Sequence, residues 1–113
     1  MKRAILAIIT ILLIILACSK KKDPPVTVDC NAVPKSFSSN VSPITSTRCA
    51  LSGCHEAGSV NGPGPLTSYQ QIFSARVNIR SAVTSGLMPQ GSTLTQAQIN
   101  TIVCWIDSGA PNN

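Results

Sequence analysis

Little in this chain could build a large hydrophobic core. Aromatic residues make up 4% of it, with one Trp, one Tyr and two Phe, and its 113 residues bound it to one small domain. That excludes a multidomain enzyme with a large buried cleft. Charge is also scarce, at 12% Asp, Glu, Lys and Arg. The formal net charge of +5 suggests a basic surface, but the basic residues are scattered. Lys2 and Arg3 open the chain, Lys20, Lys21 and Lys22 form a second group, and Lys35, Arg48, Arg76 and Arg80 follow singly. From Asp29 onward four basic residues face three acidic ones, so no concentrated basic face exists for nucleic acid. No stretch alternates apolar and polar residues with period two, so the signature of a half-buried strand is missing. No internal repeat occurs, and no Cys-x-x-Cys pair, which weakens a zinc site.

What is present begins at the N-terminus. Lys2 and Arg3 precede an apolar run from Ala4 to Ala17, broken only by Thr10. A bilayer core takes about 20 apolar residues, and this run is shorter. A charged start followed by a short apolar run is the secretory pattern. The run ends Ile15-Leu16-Ala17-Cys18, which resembles the lipobox of bacterial lipoproteins. The resemblance implies a signal peptide over residues 1–17 and a lipid on Cys18. The protein would then be anchored to a membrane of the bacterial cell envelope, facing the periplasm or the exterior. An ordinary signal peptide and an uncleaved anchor are the other readings. Residues 18–29 read as a tether, with three lysines suited to anionic headgroups and Pro24-Pro25 adding stiffness. Without the signal segment, much of the 43% hydrophobic fraction is gone. The domain left, residues 30–113, needs something beyond side-chain burial to hold it, such as a staple, a metal or a cofactor.

Three helical stretches can be read, and the expected class is all-α with long loops. The first is short, from Val41 to Arg48, with Pro43 suited to a first turn. The second starts at Ser68, where Ser68 and Gln71 form a capping pair. It runs through Ile72 and Phe73 to Arg76, resumes over Val77 to Thr84, and stops at Gly86. The third has the same capping pattern in Thr95 and Gln98. Ile99, Ile102, Val103 and Ile106 then repeat at the spacing of one buried helix face, and Gly109 and Pro111 end it. Asn61-Gly62-Pro63-Gly64-Pro65 reads as an irregular loop.

The chemistry concentrates in Cys49-Ala50-Leu51-Ser52-Gly53-Cys54-His55. A Cys followed at once by His, with another Cys shortly before, is the attachment pattern of c-type haem. Two thiols add to the two haem vinyl groups, and the adjacent His gives iron its proximal nitrogen. The usual spacer has two residues, and here it has four. The Cys54-His55 adjacency is kept, and Gly53 tolerates the backbone bulge that a longer spacer needs. A second iron ligand is available in Met88, the one methionine after Met1. It lies in Gly86-Leu87-Met88-Pro89, where the following proline restricts its backbone. His/Met ligation marks electron-transfer cytochromes, although a lone Met also serves as core filler.

Together these features resemble the small single-haem c-type cytochromes of bacterial envelopes. The likeness rests on Val41-Ser42-Pro43-Ile44, Cys49…Cys54-His55, Leu87-Met88-Pro89 and the ending from Leu94 to Pro111. It implies an all-α domain of three to four short helices around one covalent haem c. Cys49 and Cys54 would form the thioethers, and His55 and Met88 would be the axial ligands. Partners would be redox proteins of the cell envelope, and the protein would be an electron carrier rather than an enzyme. Cys30 and Cys104 then remain. In an oxidising envelope they are expected to pair as a disulfide, the other reading being two buried thiols. Arg48, Arg76, Arg80 and Trp105 are candidate contacts for the haem propionates, or else surface arginines and a core tryptophan. Glu56 reads as a solvated carboxylate rather than a catalytic one. Two other functions stay open. One is a disulfide-stapled, non-haem binding module of the envelope. The other is a haem sensor or catalyst with an open iron site.

Overall fold

Three helices carry the fold. The computed structural model describes residues 26–113, so the expected signal peptide, Cys18 and most of the tether lie outside the described residues. Helix α1 spans Ser42–Arg48, α2 Tyr69–Thr84 and α3 Gln96–Asp107, with no strand among the described residues. This agrees with the all-α expectation.

Each helix begins where its sequence says it should. Pro43 sits in the first turn of α1, where its missing N–H costs nothing. Ser68 and Gln71 form a complete capping box on α2, and Thr95 and Gln98 form one on α3. In each box the hydroxyl accepts from one backbone N–H and the glutamine accepts from another. Gly86, at φ +72°, follows the end of α2, and Gly109, at φ +98°, follows α3. Both take the left-handed conformation that terminates a helix.

Two boundaries differ from expectation. A single π-helical turn, Phe37–Val41, runs directly into α1. It is held from outside, since Asn113 accepts from the Phe37 and Ser38 backbone N–H groups at 2.8 Å each. The second helix is one continuous rod, with no interruption at Val77. Ile72, Ala75, Ile79 and Val83 share its buried side. Their burial outweighs the small helix penalty of a β-branched Val77, about 0.5 kcal/mol.

The core lies where α2 and α3 meet the π turn. All four aromatic residues gather there. The Phe37 ring is 5.0 Å from Tyr69 and 5.5 Å from Trp105, and Tyr69 is 5.6 Å from Phe73. Trp105 is fully buried and its indole N–H donates to the Pro111 carbonyl at 2.9 Å. The Tyr69 hydroxyl donates to the Ala110 carbonyl at 2.9 Å. A small number of rings therefore fastens the C-terminal segment to the helices.

Cys30 and Cys104 are joined in a disulfide, with their Cα atoms 5.5 Å apart. It stitches the start of the domain to the buried side of α3. Ordered packing begins still earlier, since Val26 and Val28 rest against the core and Gln96 Nε2 donates to the Thr27 carbonyl at 2.9 Å. The folded part therefore takes in the last residues of the expected tether.

Candidate functional site

Two long loops, one after α1 and one after α2, face each other across the C-terminal half of α2. Between them lies a cavity of about 780 Å³, within the range that holds cofactor-sized ligands. Leu66, Ile79 and Val83, all buried, form its apolar wall. Cys49, Cys54, His55 and Met88 all border it.

The first loop starts as α1 ends. The Cys49 and Ala50 N–H groups both donate to the Thr45 carbonyl. Cys54 N–H then donates to Leu51 at 2.9 Å, and His55 N–H reaches back to the Cys49 carbonyl at 3.1 Å. The whole four-residue spacer is thus closed into one turn whose ends touch. Gly53 stands at φ +76° inside it, as the bulge reading requires, because a side chain there would be strained. Cys54 is exposed and Cys49 is partly covered; both are free thiols. Burial, and secondarily the neighbouring Cys54, pushes the Cys49 thiol above its ordinary range.

His55 is buried, with 6% of its surface exposed. Its Nδ1 lies 2.9 Å from the Gly64 carbonyl. A carbonyl only accepts, so Nδ1 carries the hydrogen and Nε2 is left as the nitrogen free to ligate a metal. This is the outer hydrogen bond that ligating histidines ordinarily make. Gly64 is itself set by Gly64 N–H donating to Asn61, and Leu66 N–H donates to the His55 carbonyl at 2.9 Å. The glycine-proline run read only as irregular loop is therefore the cradle of His55. The nearest signal in the sequence was its position a few residues after the Cys-His pair.

Met88 reaches the cavity from the second loop. Its N–H donates to the Ala82 carbonyl at 3.1 Å, which ties the loop back onto α2. Leu51 and Leu87 border the same cavity from opposite loops and are 45% and 63% exposed, which marks its open side.

The four candidate propionate contacts are not equivalent. Arg48 borders the cavity. Arg80 lies on the outside, paired with Asp107 through both carboxylate oxygens at 2.7 and 3.0 Å. Arg76 stacks 4.1 Å above the Phe73 ring and donates to the Phe73 carbonyl. Trp105 has given its N–H to Pro111. Each of these last three has a donor engaged elsewhere, and none of the three borders the cavity. Glu56 is exposed, as read, yet not idle: its carboxylate accepts from Gly53 N–H at 2.9 Å and from the Ser52 hydroxyl at 3.3 Å.

No group of three His, Cys, Asp or Glu residues converges as a metal ion would need, among the described residues. Cys49, Cys54 and His55 share a cavity without meeting at a point. No helix among the described residues is long and apolar enough to cross a membrane. Comparison with protein families, with curated proteins and with solved structures finds no match to this chain.

Proposed function

We propose that the chain is a membrane-tethered electron-transfer protein carrying one covalent haem c, with His55 and Met88 as axial ligands. One observation carries this reading. Two thiols, a histidine with an oriented imidazole and a methionine border a single cavity, and the thiols and histidine do not converge on a point. A metal ion needs its donors within about 2 to 2.5 Å of one centre. A broad, flat cofactor with reactive edges and a central metal suits donors spread around a cavity of this size.

When bound, the haem supplies a one-electron couple between Fe(II) and Fe(III). The chain supplies the rest. Cys49 and Cys54 would hold one edge, and the Gly64 carbonyl keeps His55 in the tautomer whose Nε2 can ligate. Leu66, Ile79 and Val83 keep water from the inner wall. His55 and Met88 would both hold the iron, which would leave it no place for substrate and fits a carrier rather than an enzyme. The secretory pattern and Cys18 support a place in the bacterial cell envelope, lipid-anchored, beside redox partner proteins.

Full-length protein made in a bacterium with a haem-attachment system tests this. Its intact mass should include one lipid anchor and one haem, and alkaline pyridine should give the band of covalent haem c. A colourless product would sink the proposal and favour the disulfide-stapled binding module. Met88→Ala should change the spectrum of the oxidised protein; an unchanged spectrum would favour the sensor or catalyst with an open iron site.

A further inference from the structure

Gly53, the residue just before Cys54, is gripped on both sides. Its N–H donates to the Glu56 carboxylate at 2.9 Å, and its carbonyl accepts from Asn61 Nδ2 at 3.0 Å. The same Nδ2 donates to the Cys54 carbonyl at 3.0 Å, and the Ser59 hydroxyl donates to that carbonyl too. Both peptide planes that lead into Cys54 are therefore fixed by side chains from the following loop. Asn61 is itself placed by its backbone N–H, which donates to Ser59 Oγ at 3.2 Å.

This clamp answers a problem set by the sequence. Four residues between two cysteines leave more conformational freedom than two would. Without a restraint the thiols would sample many separations. Gly53 is in the left-handed region, and a glycine is the residue least able to hold its own conformation.

We propose that Glu56 and Asn61 are positioning residues that set the Cys49–Cys54 spacer for attachment at both thiols. The inference rests on the haem reading and extends it to residues other than the thiols and the proposed iron ligands. In each attachment the Sγ–H bond breaks and sulfur bonds to the inner vinyl carbon. The hydrogen goes to the outer carbon, nothing leaves, and no oxidant or reductant is consumed. The separation of the two thiols therefore bears directly on whether the second addition follows the first. Removing the charged acceptor of Glu56, or both donations of Asn61 to the Gly53 and Cys54 carbonyls, would let the competent spacer conformation fall about tenfold.

Thioethers are counted directly, without any redox assay. Full-length wild type, Glu56→Ala and Asn61→Ala are produced with the attachment system, digested and mapped by mass spectrometry for haem and for alkylated cysteine. The pyridine band position gives a second count, since one and two thioethers differ. Wild type should carry haem on both cysteines. Each variant should show singly attached haem with free thiol at the other cysteine, the ratio of doubly to singly attached haem falling about tenfold. Glu56→Gln, which keeps an acceptor, should recover part of it. Both side chains are exposed, so thermal unfolding of the variants should stay near wild type. Variants with two thioethers throughout would overturn the inference, as would a wild type attached through one. Wild type without haem would overturn the haem reading itself, a separate result.

Discussion

His55 shows how one residue's role is divided between sequence and fold. The Cys54-His55 adjacency was legible as a motif because the two residues are neighbours in the chain. The Gly64 carbonyl that orients the imidazole ring was not, because it comes from a loop without periodicity. Tertiary placement alone brings Gly64 within 2.9 Å of Nδ1. The two thiols likewise look equivalent in sequence and differ in the structure. Cys49 is partly buried and its thiol is pushed up, while Cys54 is exposed. The thiolate is the nucleophile, so in haem-free protein at neutral pH iodoacetamide should modify Cys54 before Cys49. Peptide mapping over a time course would show the order, and equal rates would contradict the difference in burial.

At the scale of elements, the helices were largely readable. Both capping boxes form as their spacing requires, and both terminating glycines lie where a helix stop was expected. Thr95→Ala should destabilise the protein by about 1 kcal/mol in denaturant unfolding. What the sequence could not specify is how helices meet. The Arg80–Asp107 pair joins α2 to α3, and neither residue carries a local signal for the other. The Arg80 guanidinium holds the Asp107 carboxyl below the usual carboxylate range. A lowered folded-state value stabilises the protein above the unfolded carboxylate pKa of about 3.9, and that contribution is lost as pH falls through the folded value. Both side chains are more than one-third exposed, so the effect is small, about 0.5 kcal/mol. Arg80→Ala should remove that part of the acid dependence and leave stability at pH 7 within about 1 kcal/mol.

Over the whole molecule, the class was legible and the cavity was not. An all-α chain follows from periodicity and caps, all of it local. The cavity wall takes Leu66 from the loop before α2 and Ile79 and Val83 from the helix itself, and the way both loops fold back over that helix carries no periodic signal. The Cys30–Cys104 disulfide lies between. Compartment chemistry made it plausible, and the fold brings the two Cα atoms to 5.5 Å. It closes a sequence separation of 74 residues, for which the chain-entropy model gives a stabilisation of about 4 kcal/mol. Cys30→Ser with Cys104→Ser should therefore lower the denaturant midpoint sharply without changing the helices' amide signals in the folded state. A midpoint shift worth under about 1 kcal/mol would place the stabilisation elsewhere. The bond has one more consequence, for damage. The 49–55 turn, the glycine-proline cradle and the Met88 loop all fall between its two ends. A protease that nicks any of them yields two pieces that remain a single covalent body until a reductant arrives. Cleavage there would thus be silent on a non-reducing gel and show only after reduction.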